Sequence, residues 1–275
     1  DKSSSFNKDM FDKVVRVLQL TQHKDTIQVH FEKVISMFLL DWVNGMTNDE
    51  EALNNRKHVI SKLRNTIGSN LTYRMERMMN DVVEVSRENL MQFQSFQQNE
   101  ESTSEESTDT MNITVNGILF KPYILTRVFW PFPQPSANQL WPTEMKNCME
   151  EYDTFYAGQT SKKAKLSWLH SAGHCTVKGR FQSGDYEFNL PTLHTCVLLQ
   201  FNSIGKDQSL SIRQVASNLN IASLKQVVQI FKKLASKDIK LIRIKHGGES
   251  RGVDTEFVVN EHYSARTHEC LSVGN

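Results

Sequence analysis

The sequence predicts a predominantly helical α+β protein: a helical bundle, then a small α/β sheet domain, then a winged-helix domain. Three observations support this prediction. The 275 residues include only 6 Pro and 12 Gly, fewer turn formers than a β-rich architecture uses. Apolar residues recur at helical spacing through residue 96. After residue 112 the pattern changes to short β-prone stretches, followed by two short amphipathic helices and further strands.

We divide the chain into five parts. The predicted parts are a helical bundle (1–96), an acidic Ser/Thr linker (97–112), an α/β domain (113–208), a winged helix with a returning strand (209–265) and a tail (266–275).

Composition excludes several classes of protein. The net charge is 32 − 31 = +1, so the whole chain offers no global attraction to nucleic acid or to a membrane surface. The longest apolar stretch, Val34–Val43, contains Asp41 and is shorter than the roughly 20 residues of a membrane span. Four cysteines without a C-x-x-C pair do not form a disulfide framework, which favours a reducing compartment. We expect no membrane association and no secretory leader.

The bundle is predicted from repeated apolar stripes at spacings of three and four residues. The stripes begin at Phe11, Phe31, Leu53, Leu71 and Leu90. Capping boxes are expected at Asp25 and Thr47, and Asn70 and Ser86 are expected to start later helices. Gly68 stands where a glycine would end a helix. The methionines near position 78 are interpreted as core residues.

The linker has the sequence QQNEESTSEESTDTMN, with five acidic residues, six Ser or Thr and one apolar residue. Such a stretch cannot bury enough apolar surface to offset the entropy of ordering, so we expect a solvated loop. Phosphorylation of its Ser and Thr residues is the functional alternative.

The α/β domain is predicted from one helix and several short strands. The predicted elements are a strand at Tyr123–Trp130, a helix through Met145 and Tyr156, and strands at Leu166–His170, Cys175–Phe181 and Tyr186–Leu190. Leu193–Phe201 is an apolar run that fits a helix or a strand equally well.

Residues 209–246 predict a winged helix. The apolar spacing gives one helix ending near Leu219 and a second over Leu224–Leu234, and strands follow at Ile239–Ile244 and Glu256–Val259. This stretch carries eight basic residues against Asp238, 8 − 1 = +7. The candidate basic patch consists of Lys225, Lys232, Lys233 and Lys237. Three interpretations stay open for it: DNA binding, an acidic protein partner, or a solvated face.

No set of residues in the sequence predicts a metal site, a cofactor site or a catalytic centre. The histidines and cysteines nearest to a ligand set are His170, His174, Cys175, His194 and Cys196. Cys196 lies in an apolar run, where a free cysteine behaves as a small hydrophobe, and the spacing of the others is not that of a zinc motif. The chain also lacks nucleotide-binding and nucleophile-elbow motifs.

The order of several segments resembles the C-terminal region of the cullins, the scaffolds of multisubunit ubiquitin ligases. The matching segments are Ile60–Met79, Ile124–Pro131 (ILTRVFWP), Leu140–Pro142 leading to Phe155–Tyr156, Lys165–Trp168, Pro191–Asn202 and Phe257–Asn260. His194 stands where the family usually has Gln, and Ala164 interrupts a basic element. The resemblance therefore points to a divergent cullin of fungal type, with the cullin-like subunit of the anaphase-promoting complex as a close alternative.

The resemblance implies a non-catalytic scaffold that binds a zinc-containing RING-box protein, which in turn recruits a ubiquitin-conjugating enzyme. It implies partner-binding positions on an open sheet edge built from the strands above. These positions are Ile124, Thr126, Val128, Trp130, Leu166, Trp168, His170, Tyr186 and Phe188. A winged-helix DNA-binding protein is the alternative from another class, supported by the +7 stretch.

The resemblance also places the chain in the nucleus and cytoplasm. We expect neither the N-terminal repeats that hold substrate adaptors nor the terminal winged helix with its modifier-accepting lysine within these residues. Lys245 superficially resembles that lysine, but it lies in the first winged helix.

Overall fold

The computed structural model describes residues 24–44, 50–100, 113–132, 139–159, 165–205, 208–245, 252–265 and 271–272. The predicted helix that begins at Phe11, the Thr47 capping residue and linker residues 101–112 lie outside these ranges. The chain forms two compact units, Asp1–Pro133 and Gln134–Asn275. Residues 113–132, which the sequence assigned to the α/β domain, thus belong to the first unit.

In its described residues the first unit has four α-helices: α1 Lys24–Val43, α2 Glu50–Ile67, α3 Ser69–Asn80 and α4 Ser86–Glu100. Gly68 ends α2 as predicted, with a φ of 97° that favours glycine. The predicted start of a helix at Ser86 is confirmed, although a π-helical turn, Asp81–Val85, joins α3 to α4 without interruption. The linker also begins later than predicted, since α4 includes residues 97–100.

The core of this unit confirms the interpretation of the methionines. Met75 and Met78 are fully buried beside Leu39. Trp130, from the far end of the unit's sequence, lies in the same cluster.

A small hairpin and an irregular segment complete the first unit. Strands β1 Thr114–Val115 and β2 Ile118–Leu119 pair around Asn116 and Gly117, which both have positive φ. The predicted strand Tyr123–Trp130 is wrong, because those residues form no strand. Side chains of the π-helical turn and of α4 take backbone donors that a sheet would need.

The second unit starts with α5 Thr143–Gly158, which confirms the predicted helix, and continues into a hairpin. Its strands are β3 His174–Phe181 and β4 Gly184–Pro191, as predicted, and the short β8 Leu271–Ser272 lies parallel to β4 in the order β3-β4-β8. The strand predicted at Leu166–His170 is wrong: the segment is irregular and leads into a 3₁₀ turn. The ambiguous apolar run is helical, as α6 Thr192–Leu199 and a following 3₁₀ turn.

The end of the second unit contains two short helices and three short strands. They are β5 Leu210–Ser211, α7 Ile212–Asn218, α8 Leu224–Leu234, β6 Ile242–Ile244 and β7 Glu256–Val259, with the antiparallel strands in the order β5-β7-β6. Ser211 and Gln214 form a capping box at the start of α7. One continuous apolar cluster, from Tyr186 to Tyr263, holds these elements and the β3–β4 hairpin together.

None of the described helices is long and apolar enough to cross a membrane.

Candidate partner-binding site

Residues 123–132, hereafter the anchored segment, are held against the first unit by Asp81. The Asp81 carboxylate accepts hydrogen bonds from the Thr126 backbone N–H (2.7 Å), the Thr126 hydroxyl (2.9 Å) and the Trp130 indole N–H (2.9 Å). Asp81 is only 3% exposed. Burial of a carboxylate costs free energy unless hydrogen-bond donors satisfy its oxygens. The donors to Asp81 come from residues 45 to 49 positions further along the chain.

Two further side chains hold the same segment. The Ser86 hydroxyl accepts from the Ile124 N–H at 2.9 Å. It also donates to the Asp81 backbone carbonyl at 2.7 Å, which gives a carbonyl of the π-helical turn a side-chain donor. Arg74 donates to the Phe129 carbonyl at 3.1 Å and pairs with the buried Glu32 at 2.7 Å. The anchored segment is therefore fixed to α3, the π-helical turn and the start of α4, and Glu32 of α1 holds Arg74 in place.

The exposed part of the anchored segment is a tight turn, residues 126–129, hereafter the clamped turn. The Phe129 N–H donates to the Thr126 carbonyl at 2.9 Å, which leaves Arg127 and Val128 at the tip. Val128 is 71% exposed, whereas Trp130 is buried. Of the predicted partner-binding positions in this segment, only Thr126 and Val128 have exposed side chains, and neither lies in a sheet.

The longest outer strand among the described sheets of the second unit is β3, and its outer side is the candidate edge. In the described residues no strand pairs with that side, and β4 lies between β3 and β8. Thr176, Lys178 and Arg180 are exposed along one face of β3. In an antiparallel pair, alternate residues turn their N–H and C=O groups away from the neighbouring strand, so β3 can accept another strand.

This placement corrects the predicted contribution of Tyr186 and Phe188. Both lie on the central strand β4 and are 2% exposed, so their side chains are in the core and not at an edge. None of the predicted partner-binding positions lies on β3, although the alternation of Thr176, Lys178 and Arg180 with less polar residues is a signal for a half-exposed strand.

The rings of Tyr186 and Phe188 fix the hairpin instead. Both pack around Tyr263. The Ser183 hydroxyl, in the β3–β4 turn, donates to the Tyr263 carbonyl and accepts from the Tyr186 hydroxyl. The hairpin is therefore rigidly attached to the segment that follows β7.

The remaining predicted positions pack within the second unit. The Trp168 indole N–H donates to Asp153 at 3.2 Å, and the His170 ring stacks on Trp141 with centroids 3.5 Å apart. Leu166 is half-buried. These side chains attach the loop before β3 to α5 and to the residues just before it, and they do not form an edge.

The histidines and cysteines of this unit do not assemble a chemical centre. In the described part of the chain, no three His, Cys, Asp or Glu residues are placed to hold a metal ion. Burial raises the pKa of the Cys196 thiol to about 12 and also raises that of Cys175, which keeps both protonated and weakly reactive. Burial lowers the pKa of His170 to about 4, and burial with the nearby Lys233 and His174 does the same for His194.

The predicted basic patch is exposed on and just after α8. Lys225, Lys232, Lys233 and Lys237 are all exposed, while Val227, Ile230, Phe231 and Leu234 are buried. Two other cations of this stretch are neutralised, because Arg213 pairs with Asp254 at 2.7 Å and Lys245 pairs with Glu256 at 3.3 Å. The surplus positive charge is thus concentrated around α8.

The fold and these surfaces define an α+β protein whose accessible features are a strand edge, a clamped turn and a basic helix face. Residues 124–263, 140 of the 275 residues, match the model of the cullin alpha+beta domain family. The chain belongs to the cullin family, as the sequence resemblance predicted.

The curated relatives agree with this assignment. Cullin-1 of Oryza sativa subsp. japonica is 27% identical over 256 residues, which cover 93% of this chain and 31% of that protein. Cullin-4A of Mus musculus is 28% identical and covers 91% of the chain and 30% of its own length. Putative cullin-like protein 1 of Arabidopsis thaliana is 33% identical over 46% of the chain and 17% of its own length. The chain spans about a third of the length of the full cullins.

Proposed function

We propose that this chain is a scaffold segment of a cullin-type ubiquitin ligase and that it holds a RING-box protein, which recruits the charged ubiquitin-conjugating enzyme. The observation that supports this proposal is the outer side of β3, an eight-residue strand without a strand neighbour in the described residues, in a chain of the cullin family. A strand edge of this length is a hazard for aggregation unless a partner covers it.

The partner is proposed to bind by adding a strand to β3. Main-chain hydrogen bonds supply the affinity in this mode, and the alternating side chains supply the specificity. Thr176, Lys178 and Arg180 contact alternate residues on one face of the added strand. The packing of Phe181, Tyr186 and Phe188 around Tyr263 keeps the edge fixed, which lowers the entropy lost on binding.

The chemistry of ubiquitin transfer belongs to the partners in this proposal. Zinc resides in the RING-box protein, and the chain contributes by raising the effective concentration of enzyme near substrate. The winged-helix DNA-binding alternative has no support from the relatives, which carry the cullin name.

Truncation of the partner tests the mode of binding. A RING-box protein that lacks its N-terminal strand should lose the complex with this chain in size-exclusion chromatography and calorimetry. Thr176→Ala and Arg180→Ala in this chain should weaken binding far less, because they leave the main chain intact. Retention of the complex without the partner's strand would refute strand addition.

A further inference from the structure

We propose that the clamped turn is a docking point for a second, acidic protein partner: an acidic segment whose large apolar side chains form a pocket around Val128 and whose carboxylates meet Arg127 and Arg77. The proposal goes beyond the proposed function, because the turn lies in the first unit, whereas β3 lies in the second.

The first argument is the rigidity of the turn. Hydrogen bonds from helix side chains hold the turn and its flanks. Asp81 accepts from the Thr126 N–H, the Thr126 hydroxyl and the Trp130 indole. Ser86 accepts from the Ile124 N–H, and Arg74 donates to the Phe129 carbonyl. A turn fixed in this way loses little conformational entropy when a partner binds, so more of the contact energy appears as affinity.

The second argument is what the turn presents. Val128 is 71% exposed, the highest value among the exposed large apolar side chains of the described residues. Folding does not require an apolar side chain there, since the buried part of the segment is completed by Trp130. An exposed β-branched side chain on a rigid tip suits insertion into a pocket, because few rotamers are lost on burial.

The third argument is the chemistry around the tip. Tyr73 is 46% exposed and packs edge-on against Phe129, with ring centroids 5.6 Å apart. The Arg77 guanidinium lies 5.2 Å from the Tyr73 ring centre, and its Nε donates to the Tyr73 hydroxyl at 3.2 Å. Tyr and Arg are the residue types most enriched where interfaces concentrate their energy.

The charge of this surface fixes the class of partner. Arg77 and Arg127 are both exposed, and no carboxylate of the described residues pairs with either of them. The other arginine of α3, Arg74, is paired with Glu32. Two unpaired guanidinium groups around an apolar tip complement carboxylates around an apolar pocket.

A random peptide library tests the proposal on the full chain. The library is selected on the wild-type chain and depleted on the Arg127→Ser/Val128→Ser double variant. We expect enriched peptides that combine Asp or Glu with large apolar residues, and we expect their affinity to fall about tenfold or more in Val128→Ser and to weaken with added salt. Failure to enrich any peptide, or enrichment of peptides without carboxylates, would overturn the proposal.

Two matched variants keep the result interpretable. Leu119→Ser removes an equally apolar side chain, 56% exposed, from the β1–β2 hairpin and should leave peptide affinity unchanged. Thr126→Val removes only the hydroxyl bond to Asp81 and leaves Val128 in place, so it should lower affinity through loss of rigidity. Equal losses in Leu119→Ser and Val128→Ser would mean non-specific apolar adhesion and would refute a docking point at the turn.

Discussion

Asp81 shows at the residue scale why an alternating, β-prone stretch is not a strand. Its carboxylate and the Ser86 hydroxyl accept the backbone N–H groups of Thr126 and Ile124, so these groups are not available to a neighbouring strand. Since the segment buries Trp130 against the helices, side-chain acceptors and apolar burial together outweigh the β propensity of the sequence.

Substitution of Asp81 by Ala should destabilise the first unit. The change leaves three donors without their acceptor, one of them the buried Trp130 indole. We expect a loss of about 2–4 kcal/mol in the free energy of unfolding, measured by urea denaturation. Glu84→Ala, an exposed carboxylate in the same π-helical turn, is the matched control and should stay within about 0.5 kcal/mol. Equal effects in the two variants would show that Asp81 does not anchor the segment.

The depressed pKa values of His170 and His194 predict a loss of stability in acid. Both fall to about 4 in the folded chain, mainly through burial, against 6.5 for an ordinary histidine. Between these values the unfolded chain binds more protons than the folded chain, so the free energy of unfolding falls as pH falls from 6.5 to about 4. Above pH 6.5 these two histidines do not change the free energy of unfolding.

His194→Gln isolates one of these contributions. Denaturation across this window should show a flatter acid limb, by on the order of 1 kcal/mol after discounting for partial exposure. His262→Gln, the same change at an exposed histidine, is the matched control. An unchanged acid limb in His194→Gln would show that burial of this ring is not linked to folding.

The elements differ in how far the sequence predicts them. The helices of the bundle and the helix–turn–helix of α7 and α8 follow from local periodicity and capping residues, such as Ser211 and Gly68. The π-helical turn does not, because its backbone irregularity is stabilised by Ser86 and by a distant segment. Leu166–His170 was predicted as a strand from its apolar residues, yet Trp168 and His170 pack against side chains from other elements.

The candidate site was predicted less well than the fold for the same reason. The choice between edge and central strand depends on which strand comes next in the sheet. The two-residue strand β8 pairs with β4. It comes from the far end of the sequence, and no local pattern predicts it. Tyr186 and Phe188 therefore lie on a central strand, and their side chains are buried because that face of the strand packs in the core.

Gly179 of β3 has no side chain, which leaves room for the rings of Phe181 and Phe188 beside it. A Cβ at this position would lie 2.6 Å from Phe181 Cε2 and 3.0 Å from Phe188 Cε2. Gly179→Ala should therefore destabilise the second unit by about 1–3 kcal/mol, because the rings must shift. Thermal unfolding followed by aromatic circular dichroism would measure this. Gly158→Ala, where no atom lies within 4 Å of the new Cβ, should cost much less, and similar losses in both variants would contradict the steric argument.

Charge is unevenly distributed in the whole molecule. The chain has a net charge of +1, yet the helix–turn–helix stretch carries a surplus that the ion pairs of Arg213 and Lys245 reduce only in part. A local positive field on a nearly neutral protein steers an acidic partner to one face without making the whole surface adhesive. The same field would attract DNA, so the two interpretations must be separated by experiment.

Reversal of charge at Lys232, Lys233 and Lys237 separates them. All three are exposed, so their replacement by Glu should leave the fold intact, with about ±0.5 kcal/mol for each change.

If the patch steers an acidic conjugating enzyme, the triple variant should slow association at low salt in stopped-flow measurements, and the difference from wild type should shrink as salt is added. If the patch binds DNA, the wild-type chain should bind duplex with a steep salt dependence that the variant loses. Arg213→Glu, which reverses a single cation paired with Asp254, is the control and should change association less than the triple change. If neither ubiquitin transfer nor DNA affinity responds to the triple change, the patch is a solvated face, and both functional interpretations of it are wrong.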